Sequence, residues 1–455
     1  MRRAPAVTNA SFSLEHQCPQ CGAPVSLEET DRIFMCPYCH VRHFLHSPGY
    51  FRYYLPPLQN NAGDVLYIPY WRFKGLKITI QSNMTKRDIV DRSLCSIPCK
   101  GVSPSLGFRT QTLTMRFVEP ETPGQFLPPA MQLGDFLKTL ETNIPAPVNP
   151  GKRVVEQSIS MLFVNGVAVP DMPLPEITET VSVIFIGEVV SCIWAPFFIR
   201  ETMLFDGISG APLGPAQEEW SAMFTKRDGA AAVSSGNASG GVYKTDFIPA
   251  LCPKCGWNLQ GDRQSCMLVC GQCLCAFEPS KQRLAPIEFS VSWPISQAGL
   301  WLPFWRITVE CSNAQFSSIA DFYRFAGIPR PIRPADEKRT FYFWVPAFKS
   351  NPDFFFKLGK LFTLQFGEIE RPLAAPSPLY PVTLPAEEAF QSIPALLVEA
   401  APARKRIIPL IKTATFSLKS SSLVFVPFVD RGSELIQSYC NIAVNKNALR
   451  VGKGL

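Results

Sequence analysis

The chain has 455 residues, 46% hydrophobic and 18% charged, which excludes a wholly disordered polypeptide because there is enough apolar surface to build cores. Its 43 prolines are about twice the usual share of roughly 5% and argue against long helical bundles, while 34 Phe, 11 Tyr and 8 Trp favour strands. The net charge of +7 is mild for this length, so it neither demands nor excludes contact with nucleic acid or an anionic membrane surface.

In chain order, Arg2 and Arg3 are followed by no apolar run, so no secretory leader is expected. The 15 cysteines then point to reduced thiols and metal sites in a cytoplasmic setting rather than to a disulfide framework. Residues 1–47 read as a first zinc ribbon, with Cys18, Cys21, Cys36 and Cys39 in the pattern CPQCG…CPYC. Residues 48–224 read as a first β-rich domain, opened by the strand YIPYWRF at Tyr67–Phe73. Pro120–Pro129 is expected to be an extended loop. Val181–Ile199 is the most hydrophobic stretch, but Gly187, Glu188 and Pro196 interrupt it. Two buried strands joined at Gly187-Glu188 are expected there instead of a membrane-spanning helix.

Residues 225–247 are expected to be a flexible linker, rich in Gly, Ala and Ser. Residues 248–280 form a second ribbon, with Cys252, Cys255, Cys270 and Cys273 in CPKCG…CGQC. Residues 281–455 read as a second β-rich domain with the strand WLPFWRI at Trp301–Ile307. The proline-rich Pro372–Phe390 is expected to be a surface loop, and Arg404-Lys405-Arg406 a solvated turn.

These elements repeat. All four ligand cysteines of the first ribbon, together with Pro69, Trp71 and Arg72, recur 234 positions later. Further on, IWAPFFIR (Ile193–Arg200) aligns with VFVPFVDR (Val424–Arg431), its proline displaced by 231. The expected fold is therefore mainly β (α+β), a tandem duplication of ribbon plus β-rich domain packed as a pseudo-symmetric pair.

Two C-x2-C pairs can wrap four thiolates round one ion, and Gly22 or Gly256 lets the backbone turn beneath it. Four sulfurs select zinc, or iron in a rubredoxin-like site; two Zn2+ are expected. A closed tetrathiolate leaves no position for substrate, so its role is stability, which a ribbon of about 30 residues needs. Cys266 and Cys275 are expected to be bystanders, and Cys95, Cys99, Cys192, Cys311 and Cys440 small buried hydrophobes. His16, His40, His43 and His46 all surround the first ribbon and read as a solvated polar edge, the alternative being a second metal or anion contact. Trp71 and Trp305 read as core anchors, with Arg72 and Arg306 stacked on rings or paired with a buried carboxylate. Alternatively, these four side chains line a partner-binding groove.

Phosphate-loop, dinucleotide-binding, nucleophile-elbow and H-E-x-x-H motifs are absent from the sequence. Every histidine lies at one ribbon, which leaves none for a distant nucleophile, and an enzyme is not expected. The CPQCGAPV…CPYCH ribbon followed by Y-x-P-Y-W-R resembles a group of bacterial proteins with a transcription factor IIB-type zinc ribbon ahead of a β-rich domain carrying a Y-x-P-F-W-R signature. Some of these are labelled helicase-related, and some resemble components of membrane stress systems of the phage-shock kind. The resemblance spans both ribbons and both signature strands. It implies a metal-bound scaffold in a bacterial stress or membrane-associated complex. The leading expectation is thus a non-enzymatic adaptor for protein partners. The first alternative is nucleic-acid binding through Arg32, Phe34, Tyr38, Arg42 and His43 of the first ribbon and Lys254, Trp257 and Arg263 of the second. The second alternative is electron transfer by iron.

Overall fold

A computed structural model describes residues 12–57, 65–99, 101–107, 113–141, 161–164, 167–170, 179–220, 245–280, 283–292, 299–365, 378–437 and 441–451. Arg2 and Arg3, the linker up to Lys244, Cys440 and the start of the Pro372 segment lie outside the described residues. Strand accounts for 44% and helix for 20%, so the chain is mainly β with helices added.

The first half is built from β1 (Ser13–Gln17), β2 (Pro24–Glu28), β3 (Ile33–Met35), β4 (Arg42–His46), β5 (Phe51–Tyr54), β6 (Val65–Gln81), β7 (Thr85–Cys95), β8 (Met115–Phe117) and β9 (Gln125–Phe126). There follow β10 (Met161–Val164), β11 (Val167–Pro170), β12 (Thr180–Arg200), β13 (Met203–Asp206) and β14 (Pro212–Pro215). Strand β6 buries almost every residue, which is how a central strand covered on both faces reads. It pairs antiparallel with β12 along its whole length and with β7 on its other side. The two strands expected within Val181–Ile199 are one strand, β12. Gly187 and Glu188 are not a turn but a bulge, at which the pairing moves from Gly75–Gly187 to Lys74–Val189. Proline is tolerated at Pro69 and Pro196 although neither strand is at an edge; the chain there faces loops that supply other bonds.

The second half carries β15 (Asp246–Pro249), β16 (Leu268–Val269), β17 (Ala276–Ser280), β18 (Arg283–Ile287), β19 (Phe289–Val291), β20 (Leu300–Cys311), β21 (Phe343–Pro346), β22 (Phe416–Arg431), β23 (Glu434–Gln437) and β24 (Ile442–Asn445). Its central pair repeats the first. Tyr67 of β6 stands opposite Pro196 of β12, and Trp301 of β20 stands opposite Pro427 of β22. Strands β5 and β19 join β12 and β22 in parallel, and β13 and β23 follow as hairpins. Between β20 and β22, however, the chain is largely helical: Ile319–Ala326, Pro352–Gln365, Ile393–Ala400 and Arg404–Thr413. The helix Ile319–Ala326 has a capping box from Ser318 and Asp321 and ends at Gly327 in the left-handed region. The β-rich second domain is therefore an α+β unit. The Arg404 cluster is not a solvated turn but starts a helix, where Arg404 donates to Gln81 O (2.9 Å) and Thr85 Oγ1 (3.0 Å).

The boundaries expected from sequence do not enclose separate cores. Ile78, Ile80, Ile184 and Ile186, at one end of β6 and β12, lie in one apolar cluster with Trp305, Phe355, Leu384 and Leu396 of the second half. Arg87 of β7 reaches Asp353 and Glu399. Asp246 and Phe247, expected to close the linker, belong to β15, which pairs with β4 of the first ribbon. No described helix is long and apolar enough to cross a membrane.

Candidate metal centres and the joined ribbons

Each ribbon offers two knuckles. In the first, the N–H of Gly22 donates to Cys18 O and that of Cys18 to Ala23 O, both at 2.8 Å. This needs a left-handed turn, which Gly22 supplies at φ 73° and Gly256 repeats at φ 73°. The second knuckle uses His40 (φ 59°), and Leu274 (φ 55°) repeats it. The knuckles bring Cys18 Sγ to 3.7 Å from Cys39 Sγ, and Cys21 Sγ to 3.7 Å from Cys36 Sγ. In the second ribbon Cys252–Cys273 and Cys255–Cys270 stand at 3.5 and 3.4 Å. In each group all four sulfurs lie within 4.8 Å of one another. A tetrahedron with metal–sulfur bonds of about 2.3 Å has edges of about 3.8 Å, so both groups could hold a metal ion.

The thiols within each group differ in acidity. Backbone donation, led by the Cys39 N–H, lowers the Cys36 thiol to about 7. Against donation from the Val41 N–H, burial and the neighbouring sulfurs push Cys39 up to about 12. Burial acts upward on Cys270, yet the N–H groups of Cys273 and Gln272 help to bring it to about 7, while Cys273 is driven well up. Adjacent sulfurs cannot all become anionic unless a positive ion is shared among them.

The histidine edge is solvated only in part: His40 is exposed and His16 and His46 are half-buried, whereas His43 is buried. His43 is 2% exposed, with Nε2 3.9 Å from Cys18 Sγ. His16 stacks on Phe247 at 4.2 Å. The reason is β15, which covers this side of β4. Cys266 and Cys275 are bystanders: their thiols donate to Val382 O and Cys273 O. Cys192 is buried as expected, but Cys95, Cys99 and Cys311 are only partly so. The Cys95 thiol donates to Ile97 O at 3.2 Å.

The two ribbons share a core of Ile33, Phe44, Ile248, Leu259, Leu268 and Phe277. Many of the residues offered by sequence for nucleic acid are used at this junction. Phe34 and His43 are buried, Arg42 donates to Leu259 O at 2.9 Å, and Arg263 pairs with the buried Asp31. Tyr38, Trp257 and Lys254 remain exposed.

The chain matches no protein-family model, no curated protein and no solved structure. Its functional reading therefore rests on the geometry.

The signature strands do not present a groove. Trp71 and Trp305 are buried, and their indole N–H groups donate to Met131 O (2.7 Å) and Leu384 O (2.8 Å). Arg72 is 2% exposed, paired with the fully buried Glu29 and bonded in two places to Asp91. Arg306 is partly exposed, bonded to Ser422 Oγ (3.2 Å) and set over the Tyr342 ring (4.3 Å). Sequence reading missed Glu29, the partner of Arg72; it lies in the ribbon, 43 positions earlier, and no local pattern connects them.

Proposed function

We propose that this protein is a non-enzymatic zinc-stapled scaffold, in which two tetrathiolate zinc ions hold the ribbons that dock protein partners. The observation that carries the reading is where apolar side chains meet solvent. Of the ten exposed large hydrophobic residues among those described, five are on the ribbons: Met35, Tyr38, Leu251, Trp257 and Leu274. Exposed aromatic and aliphatic side chains held on rigid ribbons are what a protein-binding patch requires. Closed four-sulfur sites offer no open coordination position, which favours a structural over a catalytic metal. The common cross-strand register of Tyr67–Pro196 and Trp301–Pro427 supports descent of both halves from one repeated unit.

The test is affinity purification of the full chain and of a Tyr38→Ala/Trp257→Ala variant from the native host. The variant should keep two metals and its melting temperature but lose a defined co-purifying protein. Retention of the same partners by the variant would remove the reading. Trp257 beside Lys254 favours single-stranded nucleic acid as the second reading; salt-sensitive oligonucleotide binding by the wild type, lost in the variant, would favour it. A visible iron–thiolate spectrum would instead support electron transfer.

A further inference from the structure

Strand β7 is an edge: among the described strands it pairs only with β6. Both of its ends are taken. At one, Arg87 is tied to Asp353 (2.6 Å) and Glu399 (2.7 Å). At the other, the Leu106 N–H donates to Ser93 Oγ (3.0 Å) and the Cys95 N–H to Pro104 O (2.8 Å). Between them lie Asp88, Ile89, Val90, Asp91 and Arg92. Antiparallel pairing turns the main-chain groups of successive residues alternately toward and away from the neighbouring strand. The Cys95 N–H leaves β6 for Pro104 O, and the register with β6 runs from Cys95 to Thr85 without a shift. The N–H and C=O of Ile89 and Asp91 therefore also point away from β6, and they have no partner among the described residues.

An open edge invites a further strand, and charged side chains ordinarily blunt it. Here the charges are ordered so that the segment is complementary to its own reverse. Asp88 and Arg92 are exposed and make no ion pair or hydrogen bond among the described residues. Alternation puts both on one face of the strand, with Val90 midway between them. Ile89, on the other face, is 60% exposed, more than any other large hydrophobic residue described outside the ribbons. Asp91 is already bonded to Arg72 and Arg87 to its two acids, so neither is free to supply a new ion pair.

We propose that β7 joins two copies of this chain, pairing antiparallel with its twin about a twofold axis at Val90. Asp88 of each copy then stands opposite Arg92 of the other, and Val90 faces Val90. On either side of the axis the outward main-chain groups of Ile89 meet those of Asp91 in a hydrogen-bonded pair. The two Ile89 side chains lie diagonally across the axis, within reach of each other. Moving the axis to Ile89 would set Lys86 against Arg92 and lose both Asp88–Arg92 pairs, so charge selects the first register. The occupant is a second copy because one segment supplies both members of each ion pair in mirrored positions. The first-half sheets of two chains would become continuous, and no ribbon residue takes part, so this association is independent of the partner-docking role proposed for the ribbons.

The experiment is sedimentation velocity on the metal-loaded full chain from about 1 to about 200 µM, since a short strand pair lies at the weak, low end of interface size. A dimer should form within that range. Asp88→Arg and Arg92→Asp each set like charges opposite one another at two places, and each alone should weaken the dimer by at least about tenfold. An equimolar mixture of the two variants should recover it, because each chain then carries the charges that the other lacks. In the wild type, hydrogen exchange at the amides of Ile89 and Asp91 should slow as the dimer forms. A chain still monomeric at about 200 µM overturns the proposal, as does a dimer undiminished by either single reversal, or a mixture that stays monomeric. Unaltered exchange at Ile89 and Asp91 in a dimer would place the contact elsewhere and overturn it as well. That measurement needs no variant, so it decides the matter even if a reversal does not fold.

Discussion

Arg72 and Arg306 occupy equivalent places in two matching strands, yet their removal should have very different costs. Arg72→Ala leaves Glu29, whose side chain is 0% exposed, without its cation. Breaking one side of a buried ion pair typically costs about 3–5 kcal/mol. The loss of the guanidinium stacked 3.8 Å over Phe12 acts in the same direction. Arg306 has one hydroxyl partner and one ring contact on a partly exposed face, worth about 0.5–1 kcal/mol. At roughly 2–4 °C per kcal/mol for a unit of 150–250 residues, Arg72→Ala should lower the melting temperature by about 6–20 °C and Arg306→Ala by about 1–4 °C. Differential scanning calorimetry of both variants makes the comparison. Acidity provides a second check. Burial already raises the Glu29 carboxyl above its ordinary 4.5, against the pull of Arg72, and without Arg72 it should rise further. A carboxyl with a raised folded pKa favours the fold below its unfolded pKa, and that advantage is lost as pH rises through the folded value. The penalty of Arg72→Ala should therefore shrink in acid and grow toward neutrality. Equal melting shifts for the two variants, or a penalty that grows in acid, would refute the buried-pair argument.

Wild-type protein should carry two zinc ions by plasma mass spectrometry, Cys36→Ser and Cys270→Ser one each, and chelation should lower the melting temperature by loosening the ribbons. His43→Phe copies the second ribbon, where Phe277 holds the matching place. It should speed zinc release from the first site by about tenfold, read with a chromogenic chelator, and leave the second unchanged. Gly75→Ala should destabilise by about 1–3 kcal/mol, measured by denaturant titration, because its methyl would stand 2.3 Å from Ile186 O and 3.0 Å from Gly187 Cα.

The metal centres were legible because ligand chemistry is local: a C-x2-C pair and a following glycine fix a knuckle whatever surrounds them. The paired strands were legible because Pro69 and Pro303 keep their distance from the tryptophan and arginine that follow. The helices were not. Pro352 and Pro394 suggest broken structure in a sequence scan, but each sits in the first turn of a helix, where its missing N–H costs nothing. The Phe-rich run PDFFFKLGKLFTLQ suggests strand by composition and is helix because it packs on β21 and on the helix Ile393–Ala400. Burial of His43 and pairing of Arg72 with Glu29 depend on β15 and the first ribbon arriving from elsewhere in the chain. No periodicity reports such meetings.

The hydrogen bonds between β4 and β15 bear on how the protein could be taken apart. A protease cut between Trp220 and Thr245 would sever the covalent tie between the described residues on either side. The two pieces would still be laced by a strand pair, a joint apolar seam and the reach of Arg87 and Arg404, and should co-elute until a denaturant parts them.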